Sequence, residues 1–269
     1  MAVVDARILI LCKTYPSPSG KYAETTCVAG MDESGKLVRL FPVPFRLIAT
    51  GQQFKKWQWI RAKVEKARKD HRQESLTIKV DTIEGEAVVQ PGKDWAERRH
   101  LISPIHVYDH FDKIDAEQRA SGMSLAMLKP ARILSLDIEP VSNPEWTEEE
   151  LAKLVQEQKQ GGLFDDEDKP SIRTLQKLPF DFYYRYQCGE GPGAKMFRHK
   201  LVDWEVGALY LNCHRSHGAD WEKYFRDQLE NKIPAKDLMF LMGNQHRFQD
   251  QWLIISLIYP PHLAQGLLL

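Results

Sequence analysis

The stretch "WQWIRAKVEKA", residues 57–67, decides how the first third of the chain is read. It alternates. Trp57, Trp59, Arg61, Lys63 and Glu65 fall on one side of an extended strand, and Gln58, Ile60, Ala62 and Val64 on the other. The second side is apolar enough to fill a barrel. The first pairs aromatic rings with cations, the combination that grips single-stranded nucleic acid: rings stack on bases and cations track phosphates. The competing reading is a core-facing Trp pair followed by a solvated Lys/Arg edge.

Strand signals continue on both sides. "RILILCKTYP" (7–16) is an apolar strand stopped by Pro16, and "YAETTCVAGMD" (22–32) is β-branched and roughly alternating. "DESGK" (32–36) is a hairpin turn with Gly35 at positive φ, and "LVRLFPV" (37–43) is its return strand. "SLTIKVDTIEG" (75–85) is a fifth strand. Five short strands with a long third-to-fourth connection predict a small antiparallel barrel of the oligonucleotide-binding (OB) type.

Beyond residue 90 the pattern is mixed. "GKDWAERRHLI" (92–102) reads as a helix capped by Asp94, and "DAEQRASGMSLAMLK" (115–129) as a helix broken near Gly122. "ARILSLDIEP" (131–140) reads as a strand returning to the first barrel. Residues 143–162 form a helix capped by Thr147 and ended by Gly161-Gly162, followed by the acidic loop "LFDDEDKPS". "LPFDFYYRYQC" (178–188) is an aromatic strand, "FRHKLVDWEVGALYLNCH" (197–214) fits strand or helix, and "DWEKYFRDQLENKI" (220–233) is an amphipathic helix. "DLMFLMGNQH" and "QWLIISLIYPP" pair as a final hairpin. The expected fold class is mainly β with α insertions: two OB-like barrels in tandem. The expected divisions are 1–140, a helical acidic linker over 141–170, and 171–269.

The chain has 269 residues, 43% hydrophobic and 28% charged, ordinary for a globular protein. Its net charge is zero, but residues 1–140, 141–170 and 171–269 carry +4, −6 and +2. Within residues 36–79 twelve Lys or Arg face three acids. Four Cys are too few for a disulfide framework at this length and imply a reducing, cytoplasmic setting. The N-terminus lacks a basic leader and cleavage site, and no apolar run approaches the roughly 20 residues of a membrane span.

These patterns make nucleic acid the expected partner. In the first barrel the candidate contacts are Lys13, Tyr15, Arg39, Phe41, Arg46, Lys55, Lys56, Trp57, Trp59, Arg61 and Lys63, with Lys21 and Tyr22 nearby. In the second they are Tyr184, Tyr186, Arg198, Lys200 and the loop residue Arg247. The acidic linker would shield this surface in the absence of nucleic acid. An alternative is metal-dependent nuclease chemistry on Asp203 and Glu205 with His199 or His246; clustered carboxylates suit a hard cation, but those residues serve equally as caps and ion pairs. Cys188, Cys213, His214 and His217 could supply zinc ligands, though their spacing matches no recognised pattern. No cofactor is expected. "QGGLF" (160–164) resembles the short peptide that docks bacterial proteins on a replication clamp, and equally a staple pinning the linker. A protein-interaction module is a third reading.

"KTYPSPSGKYAETTCVAGMDESGKLVRLFPVPFR" with "QFKKWQWI", and the C-terminal "PFDFYYRYQC", "DWEVGALY" and "DLMFLMGNQHRFQDQWLIISLIYPP", resemble the bacterial dual-OB domain proteins. That resemblance implies two OB-like barrels over nearly the whole chain, no catalytic residue, and a nucleic-acid-binding role near anti-phage or other defence systems, with a protein partner in a defence complex. It assigns no functional residue.

Overall fold

The computed structural model describes residues 2–18, 24–43, 45, 48, 50–145, 147–149 and 176–263. The first sheet is built from β1 (Val4–Lys13), β2 (Ser17–Pro18), β3 (Glu24–Asp32), β4 (Leu37–Val43), β5 (Gln58–Lys66), β6 (Ser75–Ile78) and β7 (Glu84–Val88). Five of these close on themselves in the order β1-β3-β4-β6-β5, with β5 pairing back to β1 and β4 pairing β6 in parallel. That is the order and the one parallel pairing of an OB barrel.

The strand patterns follow from what each face meets. On β5, Ile60, Ala62 and Val64 point into the barrel with Ile8, Ile10, Val28 and Leu40. The apolar run of β1 does not alternate because both of its faces are covered. Ile8 and Ile10 fill the barrel, while Leu9, Leu11 and Cys12 enter a second core outside it. A register shift between Ile10 and Cys12 puts Leu11 and Cys12 on that same side. At the β3–β4 turn Gly35 has φ +83°, as its sequence predicts, and Asp32 Oδ1 accepts from the Ser34 and Lys36 amides.

After α1 (Ala96–Ile102) the chain enters the second sheet: β8 (Val107–Tyr108), β9 (Leu125–Leu128), β10 (Arg132–Pro140), β11 (Phe180–Cys188), β12 (Lys195–Leu201), β13 (Met239–Asn244) and β14 (Trp252–Ile258). Helix α2 (Phe111–Ser121) precedes β9, and α3 (Trp204–His217) and α4 (Trp221–Arg226) lie between β12 and β13. The order is β10-β11-β12-β14-β13-β9-β8, with β12 and β14 parallel. From β10 to β14 this repeats the first-second-third-fifth-fourth order of the barrel, with helices in the third-to-fourth connection. Closure differs: β13 pairs with β9 rather than with β10.

The two sheets share a core. Leu9, Leu11, Trp57 and Trp59 from the barrel side pack with Met127, Leu241, Ile255 and Ile258 from the second sheet. Cys12 Sγ donates to the Ile255 carbonyl at 2.9 Å and Ser256 Oγ to that of Leu11 at 3.0 Å. Each large apolar side chain buried here stabilises by about 1.5–3 kcal/mol, so this core welds the sheets together.

Three expectations need correction and one open reading is resolved. The strand Arg132–Pro140 does not return to the first barrel; it pairs with β11 along its length. Helix α1 has Trp95, not Asp94, at its N-cap, with φ +56° and no side-chain cap bond. The chain over 115–129 is helix only to Ser121, turns at Gly122 (φ +75°), and becomes strand β9. The ambiguous 197–214 is both: strand to Leu201, then helix from Trp204, with Asp203 capping the Glu205 amide. The acidic loop and Gln160–Phe164 lie outside the described residues.

Candidate nucleic-acid interface

A cleft of about 580 Å³ opens between the two sheets. One wall comes from β3 and β4 with Cys27, Arg39 and Phe41, and from the segment after β1 with Thr14, Tyr15 and Pro16. The opposite wall comes from β11 and β12 with Phe180, Phe182 and Lys200, and from the β13–β14 connection with Asn244, Gln245 and His246. In strand order, β3 and β4 are the second and third strands of the barrel, and β11 and β12 those of the second sheet. OB folds bind oligonucleotides on the second-and-third-strand face, flanked by the first-to-second and fourth-to-fifth loops. Here the second and third strands of both sheets meet across one cleft, with the fourth-to-fifth loop of the second sheet at its rim; Arg39 and Phe41 come from the barrel's outer face, whereas Phe182 and Leu201 belong to the second sheet's own core.

The chemistry of the walls is basic and aromatic. Lys200 pairs with Asp181 at 2.7 Å and remains about a third exposed. Tyr15 donates its hydroxyl to the Gln176 carbonyl at 2.6 Å, and its ring packs 6.1 Å from that of Trp204. Lys177 lines the same rim. Behind these groups lies a buried polar network. Arg39, 1% exposed, donates to Ser124 Oγ at 2.7 Å and to the Ser124 carbonyl at 2.8 Å. Glu74 accepts from the Ser124 amide and hydroxyl. Arg72 places its fork on Asp70 and its Nη1 on the Asn244 carbonyl. Burial opposes the charge of Asp70, but hydrogen bonds from Arg72 and Ser75 hold its carboxyl well below the usual range. Asp70 also meets His246 Nδ1 at 3.1 Å, which fixes the imidazole at the rim.

The expected contacts do not share one surface. Tyr15, Arg39, Phe41 and Lys200 line the cleft, although Arg39 serves the network behind its surface. Lys13, Lys55, Lys56 and Trp57 line a different cavity. Trp57 and Trp59 are 3% and 8% exposed and form part of the shared core, so neither ring lies open on a solvent face. The Arg7 guanidinium covers Trp59 at 4.2 Å. Arg61 and Lys63 stay exposed on the outer barrel face, with Arg61 paired to Glu86. Tyr184 and Tyr186 are fully buried, their hydroxyls bonded to the Leu229 carbonyl and to His199. Arg198 lies over the Tyr183 ring and pairs with Asp137 and Glu139. Arg247 is exposed within the rim loop. Arg46, Lys21 and Tyr22 lie outside the described residues.

The catalytic and metal candidates do not converge on one site. Asp203 is buried, accepts from the Glu205 and Leu257 amides, and faces Lys56 Nζ at 3.7 Å. Glu205 takes the same ammonium at 2.9 Å. His199 is pushed down to about 4 by burial and meets Tyr186. Cys188 and Cys213 are buried in the second sheet's core, whereas His214 and His217 are exposed. Among the described residues no three His, Cys, Asp or Glu side chains converge to hold a metal ion. No helix among them is long and apolar enough to cross a membrane. The sequence reading missed Arg72, Phe180, Phe182 and Asn244; the two Phe carried a signal, alternating along an aromatic strand.

Residues 4–104 match the family model described as Domain of unknown function (DUF8758), and residues 107–268 that described as Domain of unknown function (DUF8757). The boundary falls where the chain passes from the first sheet to the second. No curated protein matches the chain. Among solved structures, one described as "Structure and Conformational Change of a Replication Protein A Heterotrimer Bound to ssDNA" is similar at 8% identity and a TM-score of 0.37. The match covers 98% of this chain and 50% of that one, so the chain spans about half its length.

Proposed function

We propose that this chain, which belongs to the family described as Domain of unknown function (DUF8757), binds single-stranded or distorted nucleic acid in the cleft between its sheets. One observation carries the reading: the second and third strands of both sheets, with their flanking loops, line one cleft that bears basic and aromatic side chains. In this reading Lys200 and Lys177 meet phosphates, and Phe41, Tyr15 and Phe180 offer rings to unstacked bases, each stacked base contributing about 1–3 kcal/mol. An accessory role beside a bacterial defence system is part of the proposal and rests on the resemblance to dual-OB proteins alone. Against the nuclease alternative stands the engagement of Asp203 and Glu205 by Lys56 and of Asp203 by the α3 cap.

Fluorescence anisotropy with labelled single-stranded DNA and RNA tests the reading. Affinity should fall steeply with salt as counterions are released. Lys200→Glu and Phe41→Ala should each weaken binding about tenfold or more without changing the melting temperature. Absence of binding to both strands at low salt would overturn it.

A further inference from the structure

A second cavity, of about 380 Å³, lies on the other side of the β1–α3 junction from the cleft. That is within the range of small-molecule sites, roughly 300–1,000 Å³. Four cations line it: Lys13, Lys55, Lys56 and Arg98. Its two carboxylates, Asp203 and Glu205, are both engaged by Lys56. Lys13, Lys55 and Arg98 have no carboxylate within 4.0 Å among the described residues.

Two of these cations are held inward by neutral partners. Lys13 Nζ donates to the Phe54 carbonyl at 3.0 Å and sits 4.0 Å from the Phe45 ring centroid and 5.3 Å from that of Trp204. Arg98, 9% exposed, donates twice to the Val89 carbonyl and lies 4.9 Å and 4.7 Å from the Trp57 and Trp95 rings. Burial pushes the Lys13 ammonium down to about 8, although the nearby charges of Glu205 and Asp203 pull the other way. The N-terminus of α3 opens here too, adding the positive end of a 14-residue helix.

The aromatic side is equally distinctive. Trp57 and Trp95 are the two non-glycine residues with left-handed backbone among the described residues, at φ +65° and +56°, and both line this cavity. A bulky aromatic at positive φ is a true outlier. Trp57 is held there by its amide on the Ile10 carbonyl and its carbonyl on the Val89 amide, both 2.7 Å. Strain of this kind collects at ligand sites. The half-buried rings of Trp95, Trp204 and Tyr259 complete the walls.

We propose that this cavity binds a nucleoside monophosphate unit, its phosphate on Lys13, Lys55 and Arg98 and its base against the Trp and Tyr rings, supplied as a free nucleotide or as the phosphorylated end of a strand. The proposal does not depend on the cleft binding nucleic acid.

Titration calorimetry separates the cases, using adenosine 5′-monophosphate, adenosine, inorganic phosphate, and a tetranucleotide with and without a terminal phosphate. The monophosphate or the phosphorylated tetranucleotide should saturate one site, with adenosine and phosphate alone at least about tenfold weaker. Saturation by the monophosphate identifies a free nucleotide as sufficient. A tenfold preference for the phosphorylated over the unphosphorylated tetranucleotide, without binding of the monophosphate, identifies a strand end. Lys55→Glu, at an exposed position, and Lys13→Gln should each cut the affinity for the monophosphate, or the preference for the phosphorylated over the unphosphorylated tetranucleotide, about tenfold, while Lys200→Glu in the cleft lowers binding of both tetranucleotides alike and leaves that phosphate-dependent difference unchanged. Equal affinity for adenosine and its monophosphate overturns the proposal, as does indifference to Lys55→Glu. So does failure of both phosphorylated probes to bind, whatever the cleft does.

Discussion

Arg72 Nη1 donates to the Asn244 carbonyl at 2.6 Å, across 172 residues of chain, while the same guanidinium clasps Asp70 at 2.6 Å. One side chain of the first module therefore sets the position of the loop that rims the cleft from the second. Both partners are nearly buried, so the pair is fixed rather than fluctuating. Arg72→Ala leaves Asp70 buried without its cation. Breaking such a pair costs about 3–5 kcal/mol. Urea unfolding should show that loss, and nucleic-acid affinity in the cleft should fall with it in protein that stays folded.

Gly207 reports on the other side of the same contact. It lies in the first turns of α3, and a Cβ there would sit 2.4 Å from Tyr15 Cδ2 and 3.2 Å from Leu178 Cδ1. Gly207→Ala would ordinarily favour a helix. Here it should destabilise by about 1–3 kcal/mol through overpacking, a sign reversal visible in thermal unfolding. Adding Tyr15→Ala should recover part of the loss, because the two substitutions share one contact.

The barrel is legible in the sequence because its signals are local: alternation on β5, a glycine at the Asp32–Lys36 turn, and short strands between turns. The destination of Arg132–Pro140 is not, because a strand's own residues say which face is apolar but not which distant strand it pairs. The same limit governs the Trp pair. Alternation on β5 places Trp59 opposite Ile60 and Ala62, and the structure agrees; Trp57 reaches the same core from a left-handed residue just before the strand, and period two cannot say that Met127, Leu241 and Ile255 lie there too. The cleft is less legible still. Its residues come from 14–16, 27–41, 72, 141, 177–182, 200–202, 243–246 and 253–255, and in "KDHRQES" Arg72 reads as one more solvated charge.

Trp57 gives a direct measure of that burial. Trp57→Ala removes a ring from the core that joins the sheets and should cost about 3–5 kcal/mol, far beyond the effect of losing an exposed stacking platform. Among the Trp of the described residues, folded-state acrylamide quenching should accordingly fall on the half-buried Trp95, Trp204 and Trp221 rather than on Trp57.

Thiol labelling can read the cleft. Cys12 and Cys188 are fully buried, and burial pushes their thiols up, Cys188 to about 11. Cys213 is buried as well, whereas Cys27 is only partly covered and lines the cleft. A disulfide reagent should modify Cys27 in the native protein and the other three only on unfolding. Bound single-stranded DNA should slow the Cys27 reaction severalfold, and an unchanged rate at saturation would place the strand elsewhere.

His199 ties stability to pH through the second sheet. Its ring packs 4.4 Å from that of Phe111, and Tyr186 Oη lies 2.9 Å from Nδ1. Burial holds its imidazole at about 4 in the folded protein, against an ordinary value near 6.5. The unfolded chain therefore takes up a proton at a pH where the native state resists it. Stability from the neutral ring is complete above about pH 6.5 and drains away as pH falls toward 4, by up to about 3 kcal/mol. Carboxylates released from their partners add to acid unfolding at lower pH, so the comparison must be differential. Urea midpoints of wild type and His199→Gln, followed from pH 7.5 to 4, isolate the residue. The variant starts lower because its amide replaces a well-packed ring, and the gap should narrow as pH falls. Parallel curves across that window would mean that His199 titrates normally and that its burial carries no proton linkage.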